Sequence, residues 1–337
     1  MALISTTHGQ SFSLDKDETV LDAASRAGVV IPYSCRTGRC STCKCRVISG
    51  TTVAKADELG LSTSERERGW VLSCVRTAET DVVIEVDELA NVSLPPIKTI
   101  PCRIMSIERL ASSVVKVLLR LPPTMEFQYL PGQYIDIIGA GGIRRSYSLA
   151  NAHAGTRQLE LHIRSVDQGS MSAYWFEEAK VNDLLRLNGP LGTFFLRSIE
   201  GLHLVFLATG TGIAPVKAML ESLQNLPRAS GPASIQVYWG GRWQEDIYWD
   251  VNSLRDALDP SIPFEFVPVL SRADDDWDGV RGHVQRAFLA RQPNLSATMI
   301  YACGSDAMIH AARDALIARG LPSRRFLSDA FVSSAVN

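Results

Sequence analysis

The chain has 337 residues, 46% hydrophobic and 21% charged, with a formal net charge of −2. At roughly 100–200 residues per domain this length makes two or three domains with buried cores, which excludes wholesale disorder. The near-neutral balance argues against a nucleic-acid partner, and no apolar run approaches the roughly 18–20 residues of a membrane helix.

The N-terminus lacks the basic start and apolar stretch of a secretory signal, so a cytoplasmic protein without a membrane partner is expected. Seven cysteines are present, five of them between residues 35 and 74. An odd, clustered set speaks for metal binding in a reducing compartment rather than for a disulfide framework. Residues 1–90 hold the cluster. Cys35, Cys40 and Cys43 form a C-x4-C-x2-C run, and Cys74 follows thirty-one positions later. This is the spacing of plant-type [2Fe–2S] ferredoxins, in which one loop wraps three thiolates and the fourth arrives from elsewhere. The alternative is zinc, but zinc ribbons present two C-x2-C knuckles and this chain has one. Gly38 fits a loop position of unusual backbone conformation. Cys45 opens a strand-like run, Cys45–Ile48, whose alternation points it into the core rather than at the metal.

Residues 91–100 read as a linker, because Pro95 and Pro96 neither continue a helix nor donate to a sheet ladder. Over 101–198, short alternating runs separated by Gly and Pro (Val114–Arg120, Tyr134–Ile138, Arg145–Ala150, Leu159–Arg164) predict a small antiparallel barrel. Two segments here carry polar chemistry: Arg145-Ser146-Tyr147-Ser148 and Gly169-Ser170-Met171-Ser172. By themselves they also suit an ordinary strand with Tyr in the core and Arg on the surface. Arg164 suits a phosphate contact or a solvated strand position.

Over 199–337, apolar runs (Leu204–Ala208, Ile235–Trp239, Phe264–Val269, Met299–Ala302) alternate with helical stretches (Ala214–Leu223, Asp306–Arg319), the rhythm of a parallel α/β sheet. Thr209-Gly210-Thr211-Gly212 joins the first run to its helix. Glycines let backbone approach a pyrophosphate, and a helix N-terminus favours its charge. Cys303-Gly304-Ser305, Gly240-Gly241-Arg242 and Ser271-Arg272 end the other strands, at the carboxyl edge where α/β sheets bind ligands. Arg242 and Arg272 are candidates for contacts to the ribose or phosphate of a bound nucleotide. Cys303 suits a buried strand end as well.

In this order the motifs resemble the ferredoxin-fused reductases of the ferredoxin–NADP reductase superfamily. Among these they resemble most the CDP-6-deoxy-Δ3,4-glucoseen reductases, through Tyr129–Asp136, Arg144–Asn151, Gly192–Phe195, Tyr301–Ser305 and Ser328–Val332. Residues 34–47 are also similar to reductases of aromatic-ring dioxygenases. The resemblance implies a β-grasp [2Fe–2S] ferredoxin, an antiparallel flavin-binding β-barrel and a parallel-sheet nicotinamide-binding α/β domain. It implies FAD, a [2Fe–2S] cluster and NADH (NADPH possible) as cofactors. Arg145 would neutralise the flavin pyrophosphate, with Ser146 beside it, Tyr147 on the isoalloxazine and Ser148 near N5. Gly169, Met171 and Ser172 would offer donors to the phosphates. Gly210, Thr211 and Gly212 would cradle the nicotinamide nucleotide, with Cys303 and Gly304 near C4. Phe331 would supply the terminal aromatic. Ser148 and Cys303 are the catalytic candidates. The family usually has Gly where this chain has Thr209, and a side chain there would clash if the position needed positive φ. The implied activity is NAD(P)H-driven electron transfer to a partner enzyme, either the pyridoxamine-phosphate dehydratase of 3,6-dideoxyhexose synthesis or an oxygenase component. A redox sensor without turnover is the competing reading.

Overall fold

The computed structural model describes residues 1–89, 92–152, 155, 157–224 and 226–331. Its contacts divide the chain into two compact units, Met1–Leu94 with Asp329–Asn337, and Pro95–Ser328.

In the first unit, Ala2–Thr6 alternates buried and outward residues, the period of a half-covered strand. It pairs antiparallel with Ser11–Leu14 and parallel with Val82–Glu85. Lys44–Ser49 and Trp70–Leu72 complete a five-stranded mixed sheet. Helix Val20–Arg26 is capped by Thr19, whose hydroxyl accepts from the Asp22 amide, and it buries Val20, Leu21, Ala23 and Ala24 in the same core as Ile4, Leu72 and Ile84. One helix against a mixed sheet is the expected grasp arrangement. Cys45 is fully buried in Lys44–Ser49, as its alternation required.

The second unit contains two sheets. The first is six-stranded, in the order Arg144–Ser148, Tyr134–Ile138, Leu184–Leu191, Lys98–Ala111, Val114–Arg120, Gln158–Arg164, with every described pairing antiparallel. A bridge between Leu149 and Leu161 joins the outermost strands, so the sheet closes into a barrel around Ile104, Leu119, Ile135 and Leu187.

The other sheet runs Val280–Arg281, Phe264–Leu270, Ser234–Gly241, His203–Thr209, Thr298–Ser305 and, at its edge, strand Phe326–Phe331, of which residues 326–328 belong to this unit. The four pairings from Val280–Arg281 across to Thr298–Ser305 are parallel. Leu204–Ala208 are all buried, as a strand covered on both faces must be. Chain order reverses at His203–Thr209, whose neighbours are Ser234–Gly241 on one side and Thr298–Ser305 on the other. The crevice beyond its carboxyl end is thus a topological switch point, the usual ligand site of such sheets. Helices Ile213–Leu223 and Asp306–Ile317 follow the two strands that flank it.

Candidate functional site

The cysteine loop is shaped by backbone that few residues tolerate. Arg36, Gly38 and Ser41 have φ of 58°, 74° and 61°. At Gly38 a Cβ would stand 2.4 Å from the Asp57 carbonyl oxygen, so the loop packs too closely for any side chain there. The path turns amides onto sulfur: the Cys35 amide donates to Cys40 Sγ and the Thr37 amide to Cys35 Sγ, both at 3.4 Å. Cys74 is brought in by the turn Ser73–Val75, where the Ser73 amide and hydroxyl both donate to the Cys43 carbonyl, at 3.1 and 3.0 Å. Buried Glu58 holds the same segment. Its carboxylate accepts from the Leu72 amide at 2.6 Å and from Arg76 Nε and Nη2 at 3.0 and 2.5 Å.

The sulfurs meet as two hydrogen-bonded pairs, Cys35 with Cys40 and Cys43 with Cys74. The bond from Cys40 pulls the Cys35 thiol down to about 5, and the bond from Cys43 lowers Cys74, while Cys40 and Cys43 are pushed up. Burial pushes Cys45 up to about 12, which leaves it a neutral thiol. Two pairs of thiolates are what a diiron centre requires, one pair per iron. The Thr42 hydroxyl, between Cys40 and Cys43, is buried with no partner among the described residues and is available to a sulfur acceptor. The donor set fits a [2Fe–2S] cluster.

On the barrel, Arg144–Ser148 pairs with Tyr134–Ile138, opposing Tyr147 to Ile135 and Ser148 to Tyr134. Alternation puts Arg145 and Tyr147 on one face and Ser146 and Ser148 on the other. The Tyr147 hydroxyl accepts from Trp175 Nε1 at 3.0 Å, and the two rings meet edge to face, so the phenol is fixed in place. Ser146 donates to Asp136 at 2.7 Å. Arg145 Nη1 donates to its neighbour's carbonyl and forms no ion pair among the described residues, which leaves its charge available to a phosphate. Gly169 precedes one short turn of helix, Ser170–Ala173. Ser172 Oγ accepts from the Val166 amide at 2.8 Å and keeps its proton to donate. The Met171 side chain is buried in the barrel core, so only its backbone could serve a ligand. Arg164 lies against the other motif: its guanidinium is 3.4 Å from Asp246, and a Cβ on Gly210 would stand 2.8 Å from its Nη1.

The nucleotide turn differs from expectation in one respect. Thr209 has φ −132° and ψ 134°, ordinary extended backbone, and the positive φ falls on Gly210 at 54°. The condition for a clash, a positive φ at Thr209, is not met. Instead Thr209 Oγ1 accepts from the Ser305 amide at 2.9 Å. Two glycines let the turns meet: a Cβ on Gly212 would stand 2.3 Å from the Cys303 carbonyl oxygen, and one on Gly304 2.3 Å from Thr209 Oγ1. Trp239 Nε1 donates to the Gly210 carbonyl at 2.9 Å and fixes the turn from below. Cys303 is fully buried beneath it. Arg242 and Arg272 are exposed on adjacent strand ends joined by a hydrogen bond from the Arg272 amide to the Arg242 carbonyl, 2.9 Å. Phe331 ends its edge strand 36% exposed.

Sequence reasoning missed Asp246, whose carboxylate accepts from the Arg242 and Trp243 amides at 2.7 and 3.2 Å and faces Arg164. It also missed Glu58 and Trp239. An acid three residues after the start of a tight turn was the only local signal for Asp246; the others depend on pairing across strands. The backbone cradles, the paired sulfurs and the free Arg145 charge together suit a diiron cluster, a flavin phosphate and a nicotinamide nucleotide.

Comparison with known proteins gives the same three parts. Family models match a 2Fe-2S iron-sulfur cluster binding domain over residues 4–79, an oxidoreductase FAD-binding domain over 101–196 and an oxidoreductase NAD-binding domain over 206–314. The chain is 43% identical to the CDP-6-deoxy-L-threo-D-glycero-4-hexulose-3-dehydrase reductase of Yersinia pestis, over 97% of each chain. It is 30% identical to the phenol hydroxylase P5 protein of Acinetobacter pittii, over 97% of this chain and 93% of that one. Among solved structures it is similar to the cytochrome P450 reductase GcoB of Amycolatopsis, with TM-score 0.77, 29% identity and 99% of both chains covered. The chain therefore belongs to the ferredoxin-fused reductases and is an iron–sulfur flavoprotein electron-transfer reductase that uses FAD, a [2Fe–2S] cluster and NAD(H).

Proposed function

We propose that the electrons leave this chain for a pyridoxamine-phosphate dehydratase acting on a CDP-linked 6-deoxyhexulose, with NADH as the donor. The observation that carries this reading is the 43% identity to the Yersinia pestis dehydrase reductase along 97% of both chains, against 29–31% for the oxygenase reductase components. The test is coupling. The purified chain, NADH, the dehydratase and its CDP-sugar should form the 3-deoxy product, and a ring-hydroxylating oxygenase component in place of the dehydratase should give far less hydroxylation. The reverse result would make it an oxygenase reductase, the second reading, which the likeness to phenol hydroxylase P5 and GcoB supports. A cofactor-loaded chain that fails to reduce ferricyanide with NADH would be a sensor instead.

The domain assignment is ferredoxin over 1–90, linker over 91–100, flavin barrel over 101–198 and nicotinamide domain over 199–337. When bound, the three groups would supply donation and acceptance of one hydride, release of its two electrons one at a time, and one-electron relay to the partner. The residues do the rest. Cys35, Cys40, Cys43 and Cys74 would hold the cluster through their thiolates. Arg145 neutralises pyrophosphate, with Gly169, Met171 and Ser172 lending amide or hydroxyl donors. Tyr147, held by Trp175, gives the flavin ring a rigid wall, and Ser148 offers a hydroxyl at its reacting edge. Gly210, Thr211 and Gly212 receive the nicotinamide phosphates, Arg242 and Arg272 the adenosine end. Cys303 and Gly304 shape the floor under the reacting carbon, and Phe331 supplies the terminal aromatic.

A further inference from the structure

Behind the two nucleotide motifs lies a buried set of charges that none of the assignments above uses. Lys217 stands on helix Ile213–Leu223, about one turn after the Gly210–Gly212 cradle. Its side chain is 12% exposed and its Nζ meets Glu221 at 2.5 Å, Glu160 at 3.2 Å and the Ala150 carbonyl at 3.2 Å. Glu160 belongs to barrel strand Gln158–Arg164, and Ala150 lies two residues beyond Ser148. The other oxygen of Glu221 accepts from the Ala152 amide at 2.8 Å. Glu160 also takes His162 Nε2 at 2.8 Å, and His162 Nδ1 meets the Tyr248 hydroxyl at 3.1 Å. Tyr248 packs edge-on against Trp239, whose indole N–H holds Gly210. One ammonium thus ties the helix that opens the nucleotide turn to the segment that closes the flavin strand.

We propose that Lys217 is a positioning residue for hydride transfer: by clasping Ala150 and Glu160 to helix Ile213–Leu223, it sets the nucleotide turn at the working distance from Ser148. Several observations support this. Burying an ammonium between two carboxylates is tolerated only in good geometry, so the clasp permits one placement rather than a range. Its contacts reach both motifs through rigid elements, a helix on one side and barrel strands on the other. Arg164 with Asp246 makes a second tie beside Gly210, so the two lobes are held at two points and cannot pivot about one. A displacement of about 1 Å between reacting groups costs on the order of a hundredfold in rate. The proposal rests on the reading of Ser148 and Gly210–Gly212 as flavin and nicotinamide contacts.

The test uses the full chain with FAD and cluster loaded, comparing Lys217→Met and Lys217→Arg with the unaltered protein. Flavin bleaching at saturating NADH in anaerobic stopped flow should slow by about tenfold or more in K217M, with NADH affinity changed less than about threefold. K217R should recover most of the rate. The long-wavelength charge-transfer band between oxidised nicotinamide and reduced flavin should weaken in K217M, which a loss of stability alone would not produce. Independently of cofactors, hydrogen exchange on the apoprotein should quicken together in peptides spanning 149–152 and 213–223 and stay unchanged over 114–120. Should K217M fold poorly, Glu221→Gln removes one charge while keeping an acceptor for Ala152, and the same readouts apply. Unchanged bleaching, or slow bleaching with weak NADH binding and an intact charge-transfer band, overturns the proposal. If the unaltered protein is not bleached by NADH, the nucleotide reading fails, while the paired exchange signal still decides whether the clasp exists.

Discussion

Thr209 and Ser305, ninety-six residues apart in sequence, are joined by a 2.9 Å hydrogen bond from the Ser305 amide to the Thr209 hydroxyl oxygen. Ser305 caps helix Asp306–Ile317, so this bond fastens the end of one central strand to the start of the helix that follows its neighbouring strand Thr298–Ser305. The Thr209 side chain is therefore a connector between the two turns.

Thr209→Val keeps the shape and removes the acceptor. The loss of one hydrogen bond should cost about 1 kcal/mol, and the loosened cradle should raise the KM for NADH by roughly fivefold with kcat nearly unchanged. Thermal melting and steady-state ferricyanide reduction check both effects. A KM unchanged in T209V would show that the turn holds its shape without the bond.

Glu58→Ala leaves Arg76, whose side chain is 19% exposed, without its carboxylate, and strips the Leu72 amide of its acceptor. Breaking a largely buried pair from one side costs about 3 kcal/mol. The loss falls on the segment that carries Cys74, so purified E58A should contain well under two irons per chain by colorimetric assay. Glu58→Gln, which can still accept from Leu72, should retain more.

Cys45 and Cys74 should behave in opposite ways on replacement by alanine. Cys74→Ala removes a proposed cluster ligand, and the visible absorbance of the iron–sulfur centre should vanish. Cys45→Ala trims a fully buried thiol that burial holds neutral, so it should keep two irons and lose about 1 kcal/mol of stability. Iron content and chemical denaturation measure these outcomes.

His162 makes stability depend on pH. Burial is the main cause that pushes its imidazole below the ordinary 6.5, with Lys217 and Lys116 adding to the effect and Glu160 opposing it. The unfolded chain takes up a proton near 6.5 while the folded chain resists it. Stability is therefore full above about pH 6.5 and declines as pH falls toward the depressed folded value. Urea midpoints between pH 8 and 5.5 should fall for the unaltered protein and fall less for His162→Gln. Equal slopes would show that His162 does not titrate in this range.

What could be read in the sequence was whatever short spacing decides. Cys35, Cys40 and Cys43 lie within nine residues, and a ligand set that must wrap one cluster shows itself in the spacing. Gly210 and Gly212 were legible for the same reason, since a turn between strand and helix is local. The contacts that hold these motifs were not. Glu58 finds Arg76 only after the sheet forms, and Lys217 finds Ala150 sixty-seven positions away only after barrel and helix meet. Thr209 shows the limit most clearly. Its identity was visible, but whether its φ was positive depended on how the chain divides the turn with Gly210. Arg164 was legible as a basic strand residue, but its place beside Gly210 was not, because that contact joins two separately built sheets.

At Gly212 and Gly304 main chain rests on main chain, with no space left for a side chain at either position. That part of the cradle is closed to evolutionary experiment, because any enlargement would pry the two turns apart. Arg242 and Arg272 stand in the open at neighbouring strand ends, where residues can be exchanged without disturbing what lies beneath. On the proposed assignment of the two arginines, changes in coenzyme preference fall at that rim, since the floor has no room for them.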